Sequence, residues 1–200
     1  MSSTWQLPLA DPDSALRAFA DRRAKLASPR HRTMLQTLID HIRCVIVCDL
    51  DGVMATMVAE PAFSTWGPQG DSGRKGSEAV RAGYEHAFTM PDGPIANQVH
   101  AIENLVIDDN AIALELTSTR IWPAKMARVR GYDVPDQGGY YAVRHRTAVI
   151  IPFDEAGLIR GEHTYGGAWP PVATDFEPVT ESQLTSEYLA WLKTQESATA

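Results

Sequence analysis

The sequence predicts an α+β fold, with helices first and an antiparallel sheet after them. Three observations carry that reading. Apolar residues in the first half recur at the three- and four-residue spacing of buried helix faces. The second half alternates in two long hairpin patterns. The two kinds of segment follow one another along the chain, which is the α+β pattern of helices packed on one face of a curved sheet.

Asp11-Pro12 opens a first helix running to about Ala27, since Asp caps free amides and Pro suits a first turn. Ser28-Pro29 repeats that signal for a longer second helix, whose stripe Met34, Leu38, His41, Val45 and Cys48 marks its buried face. Asp49-Leu-Asp-Gly52 breaks or bends this helix, and 53–59 continue as a shorter one until Pro61. Residues 62–66 read as a short strand and 67–76 as a Gly-rich loop. Ser77 then caps a helix from Glu78 to about Met90. Val99–Ile107 and Ala111–Ile121 flank the turn sequence Asp108-Asp-Asn110 and form the first hairpin. Residues 123–139 read as an irregular connection, and 140–153 with 158–165 form the second hairpin across Asp154-Glu-Ala-Gly157. After Gly166-Gly167 a Pro-rich stretch leads to an amphipathic helix, about Glu181 to Lys193, with Leu184, Tyr188, Trp191 and Leu192 on one face.

At 200 residues, 44% hydrophobic and 22% charged, the chain has enough length for a sizeable core. A net charge of −7 and a pI near 5.3 argue against nonspecific nucleic-acid binding. The longest apolar stretches fall short of a membrane span, and the opening Met-Ser-Ser-Thr-Trp-Gln-Leu-Pro lacks the basic start and apolar core of a secretion signal. Cytoplasmic residence is the expectation. Cys44 and Cys48 share a helix face, but two ligands do not make a structural zinc site. The sequence contains no phosphate-binding glycine motif, no nucleophile elbow and no His-Glu-x-x-His, so neither metal nor cofactor is expected.

The second hairpin carries charge where a small domain should be apolar. If Phe153 faces Leu158, then Ile151 opposes Arg160, Val149 opposes Glu162 and Thr147 opposes Thr164. Side chains alternate with period two, so these residues share one surface, and branched apolars mixed with one Arg and one Glu make a pocket wall. A slip of one residue would reverse the assignment. Glu162 is the candidate base, because desolvation raises a carboxyl pKa while Arg160 or a nearby histidine lowers it and fixes its orientation. Arg160 is equally suited to binding a phenolate, carboxylate or enolate oxygen. His145 has the parity of the same face. His100 begins the first long strand, with Ile102, Asn104 and Val106 on its face, and His41 lies mid-stripe on the second helix. Histidines beside a buried carboxylate supply acid and base near neutral pH. Trp66, Tyr84, Trp122, Tyr140 and Tyr141 are candidate aromatic walls for a flat substrate. Arg144, Arg146, Glu103 and Glu115 are expected to point outward.

The run Cys48-Asp-Leu-Asp-Gly-Val-Met-Ala-Thr-Met57, then Ala62-Phe63, then 76–88, resembles the nuclear transport factor two-like superfamily. Within it the likeness is to SnoaL-like polyketide cyclases and ketosteroid isomerases. Phe153-Asp-x-x-Gly157-Leu-Ile-x-Gly-Glu162 resembles that family's last hairpin. The resemblance covers roughly 30–166, which divides the chain into an N-terminal extension with a helix (1–29), a SnoaL-like α+β barrel domain (30–166) and a C-terminal extension (167–200). It implies a cone-shaped barrel, a strongly curved, mainly antiparallel sheet wrapped around the N-terminal helices, with a deep pocket and homodimeric or homotrimeric assembly. His41 falls where the isomerases carry their hydrogen-bonding tyrosine. The isomerase base position falls at about Thr65 and the oxyanion acid near Val149, so ordinary ketosteroid isomerisation is not expected. The Asp-Arg-Asp set of epoxide hydrolysis is also missing, near Leu116, Ser118 and Thr164. Scytalone dehydratase-like chemistry, which uses two strand histidines, makes His100 and His145 plausible equivalents.

The expectation is a cofactor-independent lyase, of dehydration or retro-aldol/deformylation type, or an isomerase of aromatic compound catabolism. Its substrate would be small, hydrophobic, aromatic or polycyclic, and oxygenated. Glu162, His41, His100 and His145 would be catalytic, with Arg160, Trp66, Tyr84, Trp122 and Tyr141 binding substrate. The alternative is a noncatalytic ligand-binding or assembly module of the same fold, distinguished by whether Glu162 and at least two of the histidines reach one cavity.

Overall fold

The structure, a computed structural model, describes residues 13–67, 70–89, 99–129, 133–134, 139–166, 175–184 and 189. Four helices come early: α1 (Ser14–Ala24), α2 (Pro29–Ile46), α3 (Leu50–Ala55) and α4 (Ser77–Thr89). Ser28 caps α2 by accepting from the His31 amide, and Asp49 caps α3 by accepting from Gly52. Asp49-Leu-Asp-Gly52 therefore opens a short helix rather than only breaking a long one, and that helix stops at Ala55, before the expected 59. The expected start of the first helix at Asp11-Pro12 and the end of α4 at Met90 lie outside the described residues.

The strands are β1 (Ser64–Gly67), β2 (Gly70–Asp71), β3 (Val99–Ile107), β4 (Ala111–Pro123), β5 (Tyr140–Pro152), β6 (His163–Gly166) and β7 (Asp175–Val179). They form one sheet in the order β2-β1-β6-β5-β4-β3. The β1–β6 pair is parallel and the other pairs are antiparallel. β7 continues the line of β6 along β5, pairing with 140–144 while β6 pairs with 147–150. The first hairpin has the expected strands. Three elements were not foreseen: the Gly-rich loop contains β2, the connection read as irregular contains α5 (Ala124–Val129), and the Pro-rich stretch contains β7. At the expected C-terminal helix, Glu181–Gln183 is a single 3-10 turn; Tyr188, Trp191 and Leu192 lie outside the described residues.

The main core fills the concave face of the sheet. Phe19, Met34, Leu35, Leu38, Val53 and Val80 from the helices pack on Ile112, Leu114, Leu116, Val149, Ile151, Phe153 and Ile159. Burial of that apolar area holds the helices in the curve of the sheet. α1 belongs to this core through Ala15 and Phe19. A second cluster joins Trp122, Tyr141 and Val143 to α5 residues Ala124 and Ala127, and a third packs Ile121, Tyr140, Ala142 and Val179. Arg30 at the start of α2 pins both hairpin turns, donating to the carbonyls of Asp109, Asp154 and Glu155. Among the described residues no helix is long and apolar enough to cross a membrane.

Two bulges decide which side chains face inward. In β3 the register shifts between Ile102 and Asn104, so His100 and Ile102 line the concave face while Asn104 and Val106 turn outward. Their expected common face is thus corrected by an extra residue at Glu103. In the second hairpin Phe153 pairs with Ile159, not Leu158, while farther along Val149 pairs with Thr164, not Glu162. Near the turn the slip is one residue and Arg160 is exposed; beyond Gly161 it is two, which restores parity for Glu162 and Thr164. Gly161 allows this because a Cβ there would lie 1.9 Å from the Ala62 carbonyl oxygen.

Candidate active site

The concave face and helices enclose a cavity of about 270 Å³. Its walls are mostly apolar, with Phe19, Leu38, Val45, Leu114, Leu116 and Ile151 among them. Into it come His41 from α2, Tyr84 from α4, His100 from β3, Ser118 from β4, His145 from β5, and Glu162 and Thr164 beside and on β6. The bulge at Gly161 aims Glu162, and period-two alternation on three strands places the rest.

The strand wall carries a polar rung. His100 pairs with Ser118 and Ser118 with His145, so one cross-strand row presents imidazole, hydroxyl, imidazole to the cavity. His100 Nδ1 and Ser118 Oγ are 2.9 Å apart, and Ser118 is buried. Burial first, and then the nearby Arg120 cation, lower the pKa of each histidine to about 4. Both are neutral imidazoles at neutral pH, able to offer an N–H without carrying a charge.

The helix wall carries a hydrogen-bond chain. The Thr56 hydroxyl, at the end of α3, donates to the Val53 carbonyl at 2.6 Å. His41 Nδ1 lies 2.7 Å from Thr56 Oγ1, and His41 Nε2 lies 3.0 Å from the Tyr84 hydroxyl. Burial lowers the His41 pKa to about 4, so the ring is neutral with one N–H. Burial, and after it the Glu162 charge, push the Tyr84 hydroxyl well above its ordinary value.

Among the described residues, Glu162 is the one acidic side chain lining the cavity. Desolvation raises its pKa, and the Thr164 hydroxyl, donating to Oε1 at 2.8 Å, opposes that rise. A carboxylate whose pKa moves toward neutrality, in an apolar cavity with imidazole donors on the other side, is equipped to take a proton and give it back. Among the described residues no three His, Cys, Asp or Glu side chains come together in a way that could hold a metal ion.

Of the sequence-derived candidates, Glu162, His41, His100, His145 and Tyr84 line this one cavity; Arg160, Trp66, Trp122 and Tyr141 do not. Arg160 is turned out by the one-residue slip near the turn. Trp66 is 47% exposed beside Tyr165, on the face opposite Thr164. Trp122 and Tyr141 have inward parity, but α5 covers them in its own cluster. Thr56, Ser118 and Thr164 were not singled out for their roles here. Ser118 is findable as the register partner of both strand histidines, whereas nothing in the sequence brings Thr56 to His41.

No protein-family model matches the sequence, and no curated protein matches it. Among solved structures, the chain is similar to RV0760c from Mycobacterium tuberculosis, at 20% identity and a TM-score of 0.46, covering 68% of this chain and 94% of that one. It is similar to SalBIII, an epoxide hydrolase/cyclase-like enzyme in pyran ring formation in the polyether salinomycin, at 13% identity and a TM-score of 0.48, covering 73% and 95%. It is also similar to an LEH-like epoxide hydrolase of M. tuberculosis, at 14% identity and a TM-score of 0.48, covering 69% and 85%. The curved α+β sheet on helices that the nuclear transport factor two-like resemblance implied is the fold the chain has.

Proposed function

We propose that this protein is a cofactor-independent lyase or isomerase working by general acid–base catalysis. Its substrate is a small hydrophobic, aromatic or polycyclic, oxygenated molecule. The observation that carries the reading is the placement of Glu162, half-buried and with a raised pKa, in the same apolar cavity as the His100–Ser118–His145 rung. Glu162 takes the proton from a carbon next to a carbonyl, or from a β-hydroxyl. The electron pair moves toward the carbonyl oxygen, where the neutral imidazoles of the strand rung stabilise the developing charge. Returning the proton at another atom isomerises the substrate. Expelling a β-hydroxide, which takes the proton back from Glu162 and leaves as water, makes the reaction a dehydration. When the proton comes from a β-hydroxyl, the Cα–Cβ bond breaks, the β-carbon leaves as an aldehyde and the enolate takes the proton back from Glu162. Apolar walls strengthen each of these interactions by excluding water.

The test is proton exchange at the carbonyl-adjacent carbon of β-tetralone in deuterium oxide, followed by NMR. Wild type is expected to accelerate exchange, and Glu162→Gln to lose on the order of 100-fold or more of that acceleration. Exchange unaffected by Glu162→Gln would remove the catalytic reading and leave a ligand-binding module.

A further inference from the structure

The helix wall has a direction. Thr56 has one hydroxyl hydrogen, and at 2.6 Å it is committed to the Val53 carbonyl. The 2.7 Å contact between Thr56 Oγ1 and His41 Nδ1 then has its hydrogen on the imidazole. A neutral imidazole protonated at Nδ1 has a bare Nε2, which can only accept. The 3.0 Å contact from Nε2 to Tyr84 is therefore an O–H···N bond that uses the single hydrogen of the tyrosine. Tyr84 turns oxygen lone pairs, and no hydrogen, to the cavity.

We propose that the cavity selects ligands bearing a hydroxyl, received by the Tyr84 oxygen as acceptor, with Thr56 acting through His41 as the positioning residue that fixes this polarity. The inference rests on the cavity of the proposed function and names what its substrate must carry at the helix wall. Glu162, the cavity's carboxylate, adds a second acceptor to the same cavity. A ligand that offers only an ether or carbonyl oxygen to Tyr84 meets lone pair against lone pair. An oxyanion formed during reaction has no donor there and falls to the strand rung instead. The neutral state of His41, held by burial, keeps the arrangement intact at neutral pH.

Two measurements on the full chain test this. Nitrogen NMR of histidine-labelled protein at neutral pH is expected to show His41 protonated at Nδ1 and bare at Nε2. Titration calorimetry with β-naphthol and with its methyl ether is expected to favour the naphthol by about tenfold or more. Tyr84→Phe is expected to shrink that preference, and Thr56→Ser to preserve it. A proton on His41 Nε2, or equal affinity for the two probes, including no measurable binding of either, overturns the proposal. Glu162-dependent exchange on β-tetralone decides the acid–base reading separately, so either can fail alone.

Discussion

His41 Nε2 lies 3.0 Å from the Tyr84 hydroxyl, a hydrogen bond that joins the middle of α2 to α4 across the wall of the cavity. Both residues are buried, so the bond ties the two helices together as well as shaping the cavity wall. Tyr84→Phe strands a buried acceptor and is expected to cost about 1–3 kcal/mol, read as a lower midpoint in urea unfolding. An unchanged midpoint would mean that water takes the place of the hydroxyl.

Glu162 holds its proton more tightly folded than unfolded, because burial raises its folded pKa. Its protonation therefore favours the folded state. That contribution is complete below the ordinary carboxylate range and is lost as pH rises through the raised folded value. Glu162→Gln removes the cost of a buried charge. The variant is expected to be more stable than wild type at neutral pH while losing exchange activity, and thermal unfolding across pH checks the sign.

The histidines behave oppositely. His41, His100 and His145 fall from the ordinary 6.5 to about 4, so the unfolded chain binds protons more readily than the folded one. Their neutral burial is compatible with the fold above about 6.5, and stability is lost as pH falls toward 4. His145 is half-buried and contributes least. Replacing His100 by Gln, which keeps a polar group near Ser118, is expected to flatten the acid limb of the stability curve.

Gly161 makes room for the irregularity that turns Glu162 into the cavity. A methyl group there would lie 1.9 Å from the Ala62 carbonyl oxygen. Gly161→Ala is expected to cost about 3 kcal/mol, the upper end for overpacking, and to misdirect Glu162. Chemical unfolding gives the first effect, and β-tetralone exchange in the surviving folded fraction gives the second.

The α2 stripe was legible from Met34 to Val45 and the turn at Asp108-Asp-Asn110 with it, because local periodicity and turn chemistry decide them. Cys48, expected on the same buried face, lies past the helix end at Ile46, in the left-handed region at φ 56°, and is exposed. His41 was legible as a cavity residue from the helix stripe, and His100 and His145 because parity survives along their strands. Arg160 was not, because Gly161 makes room for an irregularity whose only sequence trace is a glycine. Glu162 kept its predicted face through a two-residue slip, which parity cannot distinguish from none. The turn itself was foreseen, with Gly157 in the left-handed region at φ 86° and Asp154 accepting from the Leu158 amide. Trp122 and Tyr141 were lost to α5, a short helix with no strong start signal. Thr56 depended on the approach of α3 to α2, a tertiary contact that no spacing encodes.

If Glu162 is the cavity's base, a carboxyl-carbon NMR titration of that residue has its midpoint above the ordinary carboxylate range, with the β-tetralone exchange rate rising in step as the carboxyl ionises. A midpoint within or below that range, or exchange indifferent to it, would mean that Glu162 is not the base.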